Sequence, residues 1–139
     1  MKTVHQRLAA DVYERVMEIH DNHDEKYHKK YGTMAHKMPI LVHTAGLMQA
    51  IAFVHAKGTK NDNDAWKQFL NDLAQTLEFS RPEYNRDALL RDAQRAEIGD
   101  YILLTRRVSN ALLWYKRFAE SILKVEPGDE DKDEEDNTP

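Results

Sequence analysis

His20 and His23 lie three residues apart beside Asp24, and the run Asn61, Asp62, Asn63, Asp64 crowds four oxygen-bearing side chains into one loop. Two imidazoles at that spacing share a helix face and would suit a transition metal, whereas a loop of carboxylates and amides would suit calcium. Neither pattern is complete. There is no H-E-x-x-H pair, and the loop lacks the Gly and the well-placed Glu of a calcium loop. These residues are read as solvated or capping groups, and no metal is expected. All seven histidines precede residue 56, and two of them, His43 and His55, suit satisfied core or interface positions better than ligation.

Covalent catalysis has as little to build on. The chain has no Cys, no G-x-S-x-G elbow and no glycine-rich phosphate loop, and its acids pair with nearby bases instead of standing alone in apolar surroundings. Nothing in the pattern orients a general base. The chain therefore reads as a non-enzyme, without catalytic residues or a cofactor.

The cations are more informative. Lys57 and Lys60 flank the end of a charge-free stretch, and Arg106, Arg117 and Lys124 run along a long final helix near Trp114. Point charges at intervals of one to three helical turns suit phosphate contacts, which supply affinity without reading sequence. A solvated helix face has the same spacing, so spacing alone leaves both readings open.

Six helical segments would carry these residues. Thr3 and Gln6 have capping-box spacing ahead of Val4, Leu8, Val12, Val16 and Ile19, which predicts a helix over 4–23. A shorter, Lys- and His-rich helix over 25–36 follows. Residues 38–56 carry no formal charge; with Pro39 in a first turn and Gly58 as a left-handed stop, they predict one central, buried helix. Gly46 in its middle implies a close approach by a neighbour. Nineteen residues at about 1.5 Å each nearly span a bilayer, but two His, a Gln, a Thr and a Pro make insertion weak, so no membrane is expected. Further helices are predicted over 64–79, over 86–95 with Asn85 as cap and Asp87 paired to Arg91, and over 98–124. In the last, Tyr101, Leu104, Val108, Ala111, Tyr115 and Phe118 form a stripe that Ile102 and Leu112 widen, while Arg106, Asn110, Arg117, Ser121 and Lys124 share the opposite face. The fold class is all-α, a single helical bundle of about six helices.

The net charge of −4 averages two unlike parts. Residues 126–139 hold eight acids and one Lys, which leaves 19 Lys and Arg against 16 Asp and Glu in residues 1–125. A mildly basic helical domain over 1–125 is expected to precede an acidic tail over 126–139 that is disordered. Such a tail would favour solubility, or would fold back over the basic face and compete with an anionic ligand. The absence of Cys and of a secretory signal pattern at the N-terminus points to the cytoplasm.

The run YGTMAHKMPILVHTAGLMQAIAFVHAKG over 31–58, then Asp100 and Tyr101, then LLTRRVSNALLWYKRFAESI over 103–122, resembles the small subunit of the Cmr effector complex, the RNA-targeting type III-B CRISPR assembly. Gly46, Leu47, Gln49 and Phe53 match a Gly-Leu-x-Gln-x-hydrophobic helix, and Trp114, Lys116, Arg117, Phe118, Ala119 and Glu120 match a W-x-K-R-F-A-E-like helix. The resemblance implies an all-helical, non-catalytic protein. Several copies would stack beside one another along a filament of backbone subunits carrying a CRISPR guide RNA, near the large polymerase-like subunit, and line the groove for target RNA. On that reading Lys57, Lys60, Arg106, Arg117 and Lys124 contact RNA, and Gly46, Gln49, Phe53, Trp114 and Phe118 form a subunit interface or core. The alternatives are a helical DNA-binding regulator, for which the helix over 64–79 offers only Lys67 and Gln68 near its start, and a protein–protein adaptor.

Overall fold

Four of the six helix starts are set by a short polar side chain. In the computed structural model, which describes residues 1–129, Thr3 Oγ1 accepts the Gln6 N–H at 3.1 Å and Gln6 Oε1 accepts the Thr3 N–H at 2.8 Å, the reciprocal box that opens α1 (Val4–Asn22). Asp24 caps α2 (Glu25–Ala45) and Gly46 leads into α3 (Leu47–Lys60). Asn63 caps α4 (Asp64–Leu77) and Asn85 caps α5 (Arg86–Arg95), ahead of α6 (Ile98–Ser121). The fold is an all-α bundle of six helices, with no strand among the described residues. Residues 126–129 form a turn in which the Glu126 N–H donates to Asp129 Oδ2 at 2.8 Å. The rest of the acidic tail, 130–139, expected to be disordered and to be able to cover the basic face, lies outside the described residues.

The charge-free stretch is two helices, not one. Helix α2 runs straight through Pro39 and stops at Gly46, whose φ of 90° and ψ of 161° define a conformation open essentially to glycine alone. The Gly46 N–H donates to the Val42 carbonyl, and the Gly46 carbonyl accepts the Ala50 N–H, so this residue closes α2 and opens α3. Gly58, expected as a stop, is instead buried inside α3, where a Cβ would lie 3.6 Å from the Lys67 side chain and 3.7 Å from that of Trp66. The two glycines thus exchange the roles predicted for them: Gly46 turns the chain, and Gly58 admits a neighbouring helix.

Nor is that stretch the enclosed centre. Ile51 is fully buried, but Ile40 is 62% and Phe53 45% exposed. The bundle is built around α4, which packs against all five other helices and buries Ala65, Trp66, Phe69, Leu70, Asp72, Leu73, Ala74, Thr76 and Leu77. Absence of charge proves a weaker sign of burial than partnership, because the polar side chains of α4 find partners inside.

Those partners form one network. Tyr31 donates its hydroxyl to Asp72 Oδ2 at 2.6 Å, and Gln68 donates to Asp72 Oδ1 at 2.7 Å. Thr76 Oγ1 lies 2.7 Å from Asp11 Oδ2 and 2.9 Å from the Asp72 carbonyl, and 2.7 Å from the Tyr115 hydroxyl. Arg15 holds Asp11 from the next turn of α1 at 2.9 Å. The Phe69 ring meets Tyr31 and Tyr115 edge-on, with centroids 5.3 and 5.4 Å away. Helices α1, α2, α4 and α6 are therefore tied at one level.

The chain end is folded back on α2. Lys124 takes a left-handed φ of 59°, so α6 ends at Ser121, short of the predicted 124, and the Val125 N–H reaches the Ala119 carbonyl at 3.0 Å. The Val125 side chain fills the space where a Cβ on Gly32 would stand, 2.7–2.9 Å from its atoms, and its carbonyl accepts from His36 Nε2 at 2.8 Å. Tyr101 meets Gly46 at the end of α2 and Val125 meets Gly32 nearer its start, so α2 and α6 are antiparallel. The predicted Asp87–Arg91 pair gives way to a tether between helices, with Asp87 Oδ1 2.6 Å from His55 Nε2, which joins α5 to α3 and lowers the Asp87 pKa.

Two outcomes follow for stability. Burial raises the Asp72 carboxyl from 3.8 to about 6 against the lowering effect of its hydrogen bonds, so between these values the folded state binds more protons than the unfolded chain. Stability from this group is complete below pH 4 and declines as pH rises to 6. The loss amounts to about 3 kcal/mol at roughly 1.4 kcal/mol per pH unit. Denaturant midpoints measured from pH 4 to 7 are expected to lose this component of their pH slope in Asp72→Asn. Gly46→Ala is expected to cost about 1–3 kcal/mol through backbone strain. Gly99→Ala, where a Cβ would meet nothing within 4 Å, is the unstrained control.

Candidate nucleic-acid interface

Lys57, Lys60, Arg106, Arg117 and Lys124 are all exposed, and none is paired with a carboxylate of the described residues. Other cations are committed elsewhere: Arg15 to Asp11, Lys67 to Asp62, Arg81 to Glu83 and Arg107 to Glu78. The five candidates form two groups instead of one row. Lys57 and Lys60 end α3, which packs on α2, α4 and α5, whereas α6 packs chiefly on α1, α2 and α4. Within α6, Arg106, Asn110, Arg117 and Ser121 are exposed along one face as predicted. Lys124 departs from it, because the left-handed turn places it beyond the helix.

Two of these cations sit on aromatic rings. The Lys57 ammonium lies 4.9 Å from the Phe53 ring centre, and the Arg117 guanidinium lies 4.9 Å from the Trp114 ring centre. Trp114 stacks on Phe118 at 5.9 Å, and Phe118 meets Tyr13 of α1 edge-on at 5.6 Å. The Trp114 indole N–H is buried without a hydrogen-bond partner among the described residues. Of the residues assigned to an interface or core, Gln49 and Phe53 are exposed on α3, while Trp114 and Phe118 are half-buried at the α1–α6 seam. Gly46 is the hinge described above. Ile102, expected to widen the buried stripe, is 48% exposed and turns to the same side of α6 as Arg106.

Tyr101 is positioned by the hinge. Its hydroxyl accepts the Met48 N–H at 3.0 Å, satisfying one donor at the start of α3, where no side chain of α3 or its cap does so. The histidine and Asx candidates are spent on structure. His20 stacks on His28 and bonds Asp21, His23 stacks on Tyr27, Asp24 and Asn63 cap helices, and Asp62 holds Lys67. His55 has its partner in Asp87, whereas His43 is exposed and not at a core position. Among the described residues no three potential ligands gather as a metal site, and no helix is long and apolar enough to cross a membrane. The residue that the sequence reading missed is Asp72. Its only signal is its place between Phe69 and Leu73 on an otherwise apolar helix face.

Six helices around a short polar-cored helix, with unpaired cations and cation–aromatic pairs outside, define a small all-α bundle of the kind that presents a surface and not an enclosed cavity. Residues 4–122 match the family model described as CRISPR-associated protein (Cas_Cmr5), and the chain belongs to this family, the small subunits of type III-B Cmr systems. It is similar to a Thermus thermophilus protein named CRISPR system Cmr subunit Cmr5, with 39% identity over 126 residues that cover 89% of this chain and 99% of the relative. The crystal structure of a CRISPR-associated Cmr5 family protein from Thermus thermophilus superposes with a TM-score of 0.75 at 37% identity, covering 90% of this chain and all of the other.

Tyr101→Phe removes only the hydroxyl that receives the Met48 N–H. A loss of about 1 kcal/mol in unfolding free energy is expected, with helix content unchanged by circular dichroism. No loss would show that water satisfies the start of α3 equally well.

Proposed function

We propose that this protein is a non-catalytic small subunit of a Cmr ribonucleoprotein in the cytoplasm. It stacks beside neighbouring copies along the backbone subunits and guide RNA, near the large polymerase-like subunit, and its exposed cations hold phosphates of the guide and target RNA. Family membership supports the assembly. The observation that carries the RNA contact is the unpaired state of Arg106 and Arg117 on one face of α6 and of Lys57 and Lys60 at the end of α3, because a cation already held by a carboxylate has less to offer a phosphate. Sequence is then read by base pairing, and the protein contacts backbone geometry.

A DNA-reading regulator fits poorly. Its recognition helix would have been α4, which is the centre of the bundle, with Lys67 bound to Asp62 and Gln68 to Asp72. A helix packed against all five others is not free to enter a groove.

The test is charge reversal at Lys60, Arg106 and Arg117 in the assembled complex, after confirming that the variant subunit is still incorporated. Target RNA affinity is expected to fall, and the slope of log affinity against log salt to decrease by about one per phosphate contact removed. An unchanged affinity and slope with intact assembly would reduce this face to a solvated surface.

A further inference from the structure

A cleft of about 480 Å³ opens between the start of α1, the end of α4 and the middle of α6, beside Arg106 and Arg117 but not lined by them; Arg107, which does line it, is held by Glu78 and the Leu77 carbonyl. Its walls are aliphatic, with Leu8 and Leu77, and Phe79 stands on its lip with 59% of its surface exposed. The Arg7 guanidinium lies 4.6 Å from the centre of the Phe79 ring. Lys2 and Arg7 line the cleft and are paired with no carboxylate of the described residues. The carboxylate in the cleft, Asp11, is already held by Arg15 and Thr76. Asn110, whose amide offers both a donor and an acceptor, faces the cleft one turn along α6 from Arg106, about 6 Å away.

An exposed ring beside a cation, an apolar wall and unneutralised positive charge are what a single unstacked nucleobase with its phosphate requires. We propose that this cleft seats one base of single-stranded RNA, stacked on Phe79 with its phosphate held by Arg7 and Lys2. The inference rests on the RNA-binding reading above and adds to it a base-seating position next to the phosphate-holding face. An acidic polypeptide segment that inserts an apolar side chain is the competing occupant. It is disfavoured because nothing in such a side chain would use the Arg7–Phe79 stack.

The test compares binding of the full-length protein to a uridine decamer and to an abasic ribose-phosphate decamer of equal charge. The native protein is expected to prefer the uridine decamer. In Phe79→Ala, that preference should fall roughly tenfold while the salt slope stays constant, since stacking releases no counterions. Phe79 is exposed, so the variant is expected to fold, as thermal melting would verify. A decamer carrying 5-iodouridine should crosslink to the peptide containing Phe79. Equal binding of the two decamers by the native protein, a crosslink confined to Trp114, or displacement of the uridine decamer from Phe79 by an acidic leucine-containing peptide at lower concentration than by abasic RNA would each overturn the pocket. If reversal of Arg106 and Arg117 weakens both decamers equally and Phe79→Ala changes neither, the pocket fails and the phosphate reading stands. If those reversals also change nothing, both fail.

Discussion

The structure depends on a buried carboxylate. Asp72 sits on the most buried helix of the bundle, and an ionised carboxylate there is tolerable only because Tyr31 and Gln68 each donate a hydrogen bond to one of its oxygens. This requirement fixes more than one side chain. Tyr31 belongs to α2, and Thr76, one turn along α4, links Asp11 of α1 to Tyr115 of α6. Satisfying one buried acid and one buried hydroxyl therefore sets the mutual height of four helices, which apolar packing alone would allow to slide by a turn.

The hinge at Gly46 answers a different constraint. A straight helix over 25–60 would be roughly 54 Å long, far longer than its neighbours, and would leave most of its apolar surface uncovered. Turning at Gly46 folds α3 back onto α4 and α5, where Ile51 and Val54 are buried and Gly58 lets Trp66 and Lys67 approach. The price is an exposed N-terminus on α3, where the Tyr101 hydroxyl accepts the Met48 N–H. Nearer the start of α2, Gly32 leaves room for the Val125 side chain, and the Val125 carbonyl accepts from His36.

Local signals in the sequence were reliable where the chemistry is local. Thr3 and Asn85 cap the helices they were expected to cap, the polar run over 61–64 supplies the cap of α4 through Asn63, and α5 begins and ends as predicted. What was not legible is what depends on distant partners. Pro39 and Gly58 have the residue types of helix ends, yet Pro39 is carried within α2 and Gly58 is packed against α4, because Gly46 alone holds a backbone conformation that forbids continuation. The charge-free stretch is not the centre of the bundle, because Asp72 and Thr76 give α4 the polar residues of a surface helix yet find their partners inside. On the surface, the row Arg106, Asn110, Arg117 and Ser121 follows from helical periodicity, but Lys124 could be excluded from it only by seeing where the helix ends. Likewise, His55 was an available partner for Asp87 only once α3 and α5 were side by side.

The buried network and the cationic face are not independent, because both belong to α6. Tyr115 must face Thr76, and on a helix that turns about 100° per residue this one contact determines the direction of every other side chain. With Tyr115 inward, Val108, Ala111, Leu112 and Ala119 also point inward, and Arg106, Asn110 and Arg117 are carried outward. A shift of one residue in the register of α6 would turn Leu112 away from the core and leave the Tyr115 hydroxyl without Thr76, an error costing several kcal/mol in lost burial and unsatisfied polar groups. The orientation of the exposed cations is thus enforced from inside the bundle, so a surface that makes few contacts of its own can still be held rigidly in place.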